Sequence, residues 1–505
     1  MSWSYSREHQ KNILCMIMAG GQGSRLQPLT RDRAKPAVHF GGTYRIIDFV
    51  LNNFINSGIF KIKVLTQFKS DSLNKHISAA WNLNASLDQY VDLVPAQMRT
   101  GDDWYKGTAD AIFQNINLIT DERPDLVAIF GGDHIYKMDI NQMIDFHLSR
   151  AALLTIAAIP VPVSEASEFG IIEVDADNRM IGFEEKPKNP KEMPGNPGYC
   201  LASMGNYIFT SKFLVRELLK GAENGATDFG KHIIPSLYKD YPVYVYDFNT
   251  NIVRGEQAST KGYWRDVGTL DAFFEANMDL CSENPPFDLY NNYWPIRTFN
   301  WNQPPARFFA GDADSHQGAA IDSIVSSGCI IGGGTVVKSI LSPGVSIQKD
   351  ALVEESILFP NVTIGPGAKV RRAIIEKGLP IPAGFQIGYD PLRPRAVPLC
   401  GQRHGRPRPA RVPPPRKGQN GTLAHRLSDH RVRFFGGVRV LPRPRAGMRA
   451  RPRHRGVRRS PRAGWVRVFR LPLPHASFPR GRQDTGRGRP GMPPGALSRT
   501  RTVII

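Results

Sequence analysis

The feature that most narrows the fold is a repeat of seventeen residues, seen in 338–354, 355–371 and 372–388. Ile340, Ile357 and Ile374 share one phase of it, and Ile347, Ile364 and Ile381 share another. Within a unit, apolar residues recur near every sixth position, with turns at Pro-Gly, Pro-Asn and Gly-Pro. A preceding copy, DSIVSSGCIIGGGTVV, fits with slightly different spacing. One copy cannot bury its own apolar face, whereas stacked copies share a continuous core. Six-residue steps suit a three-sided parallel β-helix over 321–390. An ordinary antiparallel sheet is the plainer alternative.

Upstream the pattern differs. Short apolar runs such as ILCMIMA (13–19), KIKVLT (61–66), DLVAIF (125–130) and LLTIAAIPV (153–161) alternate with longer, helix-like stretches. That alternation predicts an α/β domain over 1–280 with a mostly parallel sheet, whose ligands gather at the carboxyl ends of its strands. Residues 281–320 are rich in Pro and Asn and read as a connector.

The net charge of +20 suggests a nucleic-acid binder until it is counted by region. Residues 391–505 hold 28 Arg, one Lys, two Asp and no Glu, a net of +27, so residues 1–390 carry −7. The 18 Pro and 14 Gly of this tail, without a sustained apolar period, predict disorder. Arg, Pro, Gly and Ala are the residues that GC-rich codons supply, so an out-of-frame extension is the preferred reading. A polyanion-binding tail is the other; it would bind phosphates without a specific nucleic-acid site. No run of about 18 apolar residues suggests a membrane span. The N-terminus lacks a secretory cleavage pattern. The five scattered cysteines show no metal-ligand spacing, and reduced thiols in a cytoplasm are expected.

Four motifs carry chemistry. Gly20-Gly21-Gln22-Gly23-Ser24-Arg25-Leu26 follows a predicted strand. Its glycines let backbone N–H groups approach an anion, and Arg25 adds a planar fork suited to phosphate. A tight turn without a ligand is the competing reading. Gly131-Gly132-Asp133-His134 ends an apolar strand with a carboxylate able to hold Mg²⁺, or to cap a helix. Trp264-Arg265-Asp266 offers a second isolated Asp. Glu184-Glu185-Lys186-Pro187 places a point charge before a rigid proline, read alone as a surface lysine.

The extended string GGxGxRLxPLT…RxKP resembles the signature of the sugar-nucleotide pyrophosphorylases. Trp104-Tyr105-Lys106-Gly107-Thr108-Ala109-Asp110-Ala111 narrows this, because it resembles the WY(R/K)GTADA string of the glucose-1-phosphate adenylyltransferase (ADP-glucose pyrophosphorylase) family. So do Lys35–Gly42, Val94–Gln97, Leu201–Gly205, Thr227–Gly230 and Trp294–Thr298. The resemblance runs from about residue 13 to 388. It implies a Rossmann-like nucleotidyltransferase domain followed by a left-handed parallel β-helix. It also implies transfer of the adenylyl group of ATP to α-D-glucose 1-phosphate, with release of pyrophosphate, for glycogen or other α-glucan synthesis.

On the matching positions, the resemblance assigns Gly20, Gly21, Gly23, Arg25 and Gln97 to the nucleotide. Asp133 and Asp266 become the Mg²⁺ pair. Tyr105, Gly170, Glu185, Lys186 and Ser203 fall on the sugar phosphate. Arg25, Asp133, Lys186 and Asp266 form the catalytic set. Cys15 is read as a buried strand residue. The family implies a homotetramer and a sugar-phosphate activator, with Arg33, His39 and Arg45 as regulatory candidates. Asp32 would repel a phosphate, and the Arg/Pro tail replaces the family's short acidic segment and closing strand, leaving the end of the β-helix uncapped. Two alternatives stand beside the main reading. One is a related transferase using UTP, dTTP or GTP; the other is a non-catalytic regulatory homologue.

Overall fold

The computed structural model describes residues 12–97, 104–256, 262–310 and 317–389, and the backbone of 503–504. Its first half is built on a nine-stranded mixed sheet. The strands Leu126–Gly131, Ile13–Ala19, Lys61–Thr66 and Tyr90–Pro95 lie side by side and parallel. Ile13–Ala19 is apolar without a break because helices cover both faces of such a sheet. Period two then divides it. Ile13, Cys15, Ile17 and Ala19 enter one core cluster, while Leu14 and Met16 enter another.

The other side of the sheet turns on the long strand Tyr199–Thr210. It runs antiparallel to Leu126–Gly131, Leu154–Pro162 and Gly170–Val174. Met180–Glu185 adds an antiparallel edge, and Val243–Asp247 pairs with Leu154–Pro162 in parallel. Among the described residues, no helix is long and apolar enough to cross a membrane. Cys15, Cys200, Cys281 and Cys329 are buried and free; Cys400 lies outside the described residues.

The segment Trp294–Thr298 is a structural clamp. Asn52 exchanges two hydrogen bonds with the backbone of Arg297, and Asn56 donates to the Pro295 carbonyl. Thr298 donates to Asp48, a fully buried carboxylate that also accepts from Trp81 and meets His76 at 2.6 Å. The connector is thereby fastened to the helix Ile46–Asn56 by polar groups that are all paired.

The second half is a parallel β-helix with three five-stranded sheets. Its first strand, Arg307–Phe309, lies inside the stretch expected to be connector, so the β-helix begins earlier than 321. The corner serines form a ladder. Ser323, Ser339 and Ser356 accept in turn from the backbone N–H of Ser339, Ser356 and Ala373. The two isoleucine phases have different destinations. Ile347, Ile364 and Ile381 fill the interior of the β-helix. Ile340, Ile357 and Ile374 join Val38, Phe40, Phe49 and Phe273 of the first half in a shared core.

A further turn of seventeen residues beyond Ile374 would bring Pro391, which has no N–H for a ladder bond. Val503–Ile504 takes that side instead, pairing in parallel with Ala373 and Ile374. The expected uncapped end is thus corrected on this side. The expectation of disorder for 391–505 otherwise lies outside the described residues.

Candidate active site

Three chain segments meet at the carboxyl ends of the parallel strands. The first is the loop after Ile13–Ala19. Gly23 has φ +59°, and a Cβ there would stand 2.9 Å from Cβ of Lys35, so glycine is needed for both conformation and space. Thr30 Oγ1 donates to the Gly23 carbonyl at 2.8 Å and holds the loop. Gly21 faces open space, whereas a Cβ on Gly20 would come 3.2 Å from the Gln67 side chain.

The second segment follows Leu126–Gly131. Gly132 donates to the Met18 carbonyl at 3.0 Å, which ties this loop to the glycine-loop strand. Asp133 comes next, and then the short strand His134–Tyr136. The third segment, Trp264–Asp266, pairs antiparallel with that strand and puts Asp266 opposite His134. Ligand atoms of Asp133, His134 and Asp266 lie within 4.8 Å of one another.

Lys35 binds this acidic group together. Its buried Nζ is 2.7 Å from Asp266 Oδ1 and 3.0 Å from Asp133 Oδ2. Burial acts to lower the Lys35 pKa, but the charges of Asp133 and Asp266 and their hydrogen bonds outweigh it and raise it. Burial would likewise raise the Asp133 pKa, yet the Lys35 charge, followed by that of His134, holds the carboxyl well below its usual range. The charged pair is therefore the stable form at neutral pH. Two carboxylates at this spacing are the oxygen donors that a hard divalent cation takes. A hard divalent cation fits the donor set at Asp133 and Asp266.

Arg25, half-exposed, forms an ion pair with Glu168 and lies 3.8 Å from Asp266. Glu168 closes the turn Val163–Glu168 and stands two residues before Gly170, so this contact joins the glycine loop to the expected sugar-phosphate side. There Glu185 pairs in register with Gly170, and a Cβ on Gly170 would come 2.9 Å from Glu185 Oε2. Ser203 lies one residue beyond the Ala202–Ile171 pair on the neighbouring strand. Burial, aided by Asp228, raises the Glu185 pKa against the opposing charge of Lys186. Lys186 is exposed at φ +52°, with its N–H donating to the Phe169 carbonyl at 2.9 Å. The Tyr105 backbone is fixed by Gln67 Oε1 at 2.9 Å, and its hydroxyl accepts from Asn115 at 2.8 Å. Gln97 is exposed beyond the strand Tyr90–Pro95.

The regulatory candidates lie elsewhere, Arg33 and His39 against the β-helix and Arg45 beside Ala37 and Ser72. Buried Arg33 pairs with Glu376 at 2.8 Å. His39 sits beside Phe359 and Trp301, and Arg45 donates to the Ala37 carbonyl and to Ser72. Burial, then the charges of Arg45 and Arg33, pushes the His39 pKa down; burial brings Arg45 to about 10. Arg33 Nη1, His39 Nδ1 and Arg45 Nε are buried without hydrogen-bond partners among the described residues.

Sequence reasoning left Lys35, His134 and Glu168 without a role. Lys35 stands in the RxKP string and His134 beside Asp133, so both had a signal in their neighbours. Glu168 had none.

Residues 14–283 match the model of the nucleotidyl transferase family, and residues 304–397 match the GlmU-like C-terminal hexapeptide model. The chain is 58% identical over 382 residues to the glucose-1-phosphate adenylyltransferase of Anaeromyxobacter sp. (strain Fw109-5), covering 75% of this chain and 93% of the relative. It is 51% identical over 380 residues to glucose-1-phosphate adenylyltransferase 1 of Vibrio parahaemolyticus, with the same two coverages. The Aliivibrio fischeri (strain ATCC 700601 / ES114) relative is 52% identical over 380 residues. The chain belongs to the glucose-1-phosphate adenylyltransferase family. Its fold is accordingly that family's nucleotidyltransferase domain followed by a left-handed parallel β-helix.

Proposed function

We propose that this chain transfers the adenylyl group of ATP to α-D-glucose 1-phosphate, releasing pyrophosphate and forming ADP-glucose for glycogen or other α-glucan synthesis. A phosphate oxygen of the sugar attacks the α-phosphorus, forming one P–O bond as the bond to pyrophosphate breaks. That oxygen is already ionised at pH 7, so no general base is required. The difficulty is charge: two phosphate charges ~4 Å apart repel by about 4 kcal/mol at an effective dielectric near 20. The site answers with fixed positive groups. Arg25 and the N–H groups around Gly20, Gly21 and Gly23 take the triphosphate, and Gln97 lies on the nucleotide side. Lys186, with Glu185, Gly170, Ser203 and Tyr105, takes the sugar phosphate. Lys35 keeps Asp133 ionised and holds Asp133 and Asp266 close together. Magnesium held by those two carboxylates would supply further positive charge to offset that of the phosphates.

The observation that carries this reading is the Lys35 ammonium between Asp133 and Asp266, with Arg25 beside Asp266 at the glycine loop. The presence of all four catalytic candidates weighs against a non-catalytic homologue. The test is pyrophosphate release from each nucleoside triphosphate with magnesium and glucose 1-phosphate. ATP is expected to be preferred; preference for UTP, dTTP or GTP, or no turnover, would overturn the reading.

Further proposals rest on the same frame. A homotetramer is supported by Phe308, Ile321 and Ile330, which expose apolar surface on the first coils of the β-helix. A phosphate-bearing activator at Arg33, His39 and Arg45 is supported by the unpartnered Arg33 Nη1, His39 Nδ1 and Arg45 Nε, and is opposed by the exposed Asp32 carboxylate beside Arg33. A cytoplasmic setting is supported by the free, buried cysteines.

A further inference from the structure

The Arg25 guanidinium presents a problem for a phosphate-binding group: it is already engaged. One Nη carries the Glu168 ion pair, and the other lies 3.8 Å from Asp266. Both Arg25 and Glu168 are about half-exposed, so neither is locked in by packing. A triphosphate reaching Arg25 meets the Glu168 carboxylate beside it. The phosphate and the Glu168 carboxylate would compete for the N–H groups of the same Nη and repel each other. We infer that Glu168 is a positioning residue that keeps Arg25 occupied while the triphosphate is absent and is displaced when it binds.

This inference rests on the assignment of Arg25 to the triphosphate and goes beyond it. Glu168 is placed to act on both substrates. The next residue is Phe169, whose carbonyl accepts the Lys186 N–H at 2.9 Å and whose ring packs edge-on against Trp264, two residues before Asp266. Glu168 therefore ends a turn whose next residue is anchored beside both Lys186 and the acidic group.

The experiment is calorimetric titration of the full-length protein with ATP and magnesium in the absence of sugar phosphate, followed by steady-state kinetics. An exposed ion pair of this kind competes only modestly, so Glu168→Gln is expected to tighten ATP binding by about two- to five-fold. The gain should shrink as salt is raised. The half-saturating ATP concentration should fall by a similar factor, a shift in KM that a packing defect would not produce. In an Arg25→Ala background, Glu168→Gln should have no effect on ATP affinity. If Arg25→Ala weakens ATP binding but Glu168→Gln leaves it unchanged or weakens it, the inference is wrong and the assignment of Arg25 stands. If Arg25→Ala itself leaves ATP binding unchanged, the assignment fails and takes the inference with it.

Discussion

The two halves of the molecule bury different things. The sheet domain buries charge: Lys35, Asp48, Lys137 and Arg33 all lie inside it, each with a partner of opposite sign or a set of hydrogen bonds. The β-helix buries ladders of Ile, Val and Leu, and its fully buried polar groups are the serines of its corners. A repeat places the same kind of residue at the same place in every coil, which suits an apolar core and a serine ladder. It cannot bring four unlike groups to one point. The irregular half can, because its strands end where loops of unrelated sequence begin. One half thus carries stability in small, equal increments, and the other spends part of its own on a site.

The contrast can be tested by substitutions that should act on one half without the other. Ile357→Ala in the β-helix removes a buried side chain shared with the sheet domain and should cost about 2–5 kcal/mol in denaturant unfolding. The half-saturating concentrations of both substrates should stay the same in the surviving folded protein; a large change in either would mean that the β-helix shapes the site directly. Asp133→Ala should do the reverse. It is expected to lower turnover by roughly 10²–10³-fold, as for other groups that stabilise a transition state, with little change in melting temperature. Lys186→Ala should raise half-saturating glucose 1-phosphate about ten- to a hundredfold, the scale of a lost charged hydrogen bond, and leave ATP binding nearly intact. If only turnover changes, Lys186 does not hold the sugar phosphate.

The smallest effect concerns acid. His147 is buried between Thr155 and Thr210, and burial lowers its pKa to about 4. Between that value and the unfolded value near 6.5, the unfolded chain binds the proton and the native one does not. Its contribution is complete above about pH 6.5 and is lost as pH falls toward 4, with a slope of at most about 1.4 kcal/mol per pH unit. His147→Gln should flatten unfolding free energy against pH in that window. The described β-helix residues 317–389 contain no histidine, so hydrogen exchange there should show no local step over the same range.

Much of this was readable beforehand, for reasons that differ between the halves. Local signals were enough for the strand–glycine loop–turn around Gly23, because the conformation required there admits little but glycine. They were enough for the seventeen-residue coils, because period and turn chemistry repeat. The apolar ladders were visible as two phases, but both are isoleucine, so the pattern held no mark of which one faces inward. That distinction depends on what lies outside: Val38, Phe40 and Phe273 cover the Ile340, Ile357 and Ile374 phase.

Asp133 was noticeable as a carboxylate after an apolar strand, and Asp266 only as a second isolated Asp. Their nearness, with Lys35 between them, depends on a strand pairing between segments about 130 residues apart, and no local propensity encodes such a pairing. Glu168 lies further still from anything legible. It sits in an ordinary polar turn, and its meaning comes wholly from the arginine across the cleft. Backbone preference and periodicity are properties of neighbours along the chain, so composition and order alone settle them. Charge pairing is a property of neighbours in space, and it exists only once the chain has closed on itself.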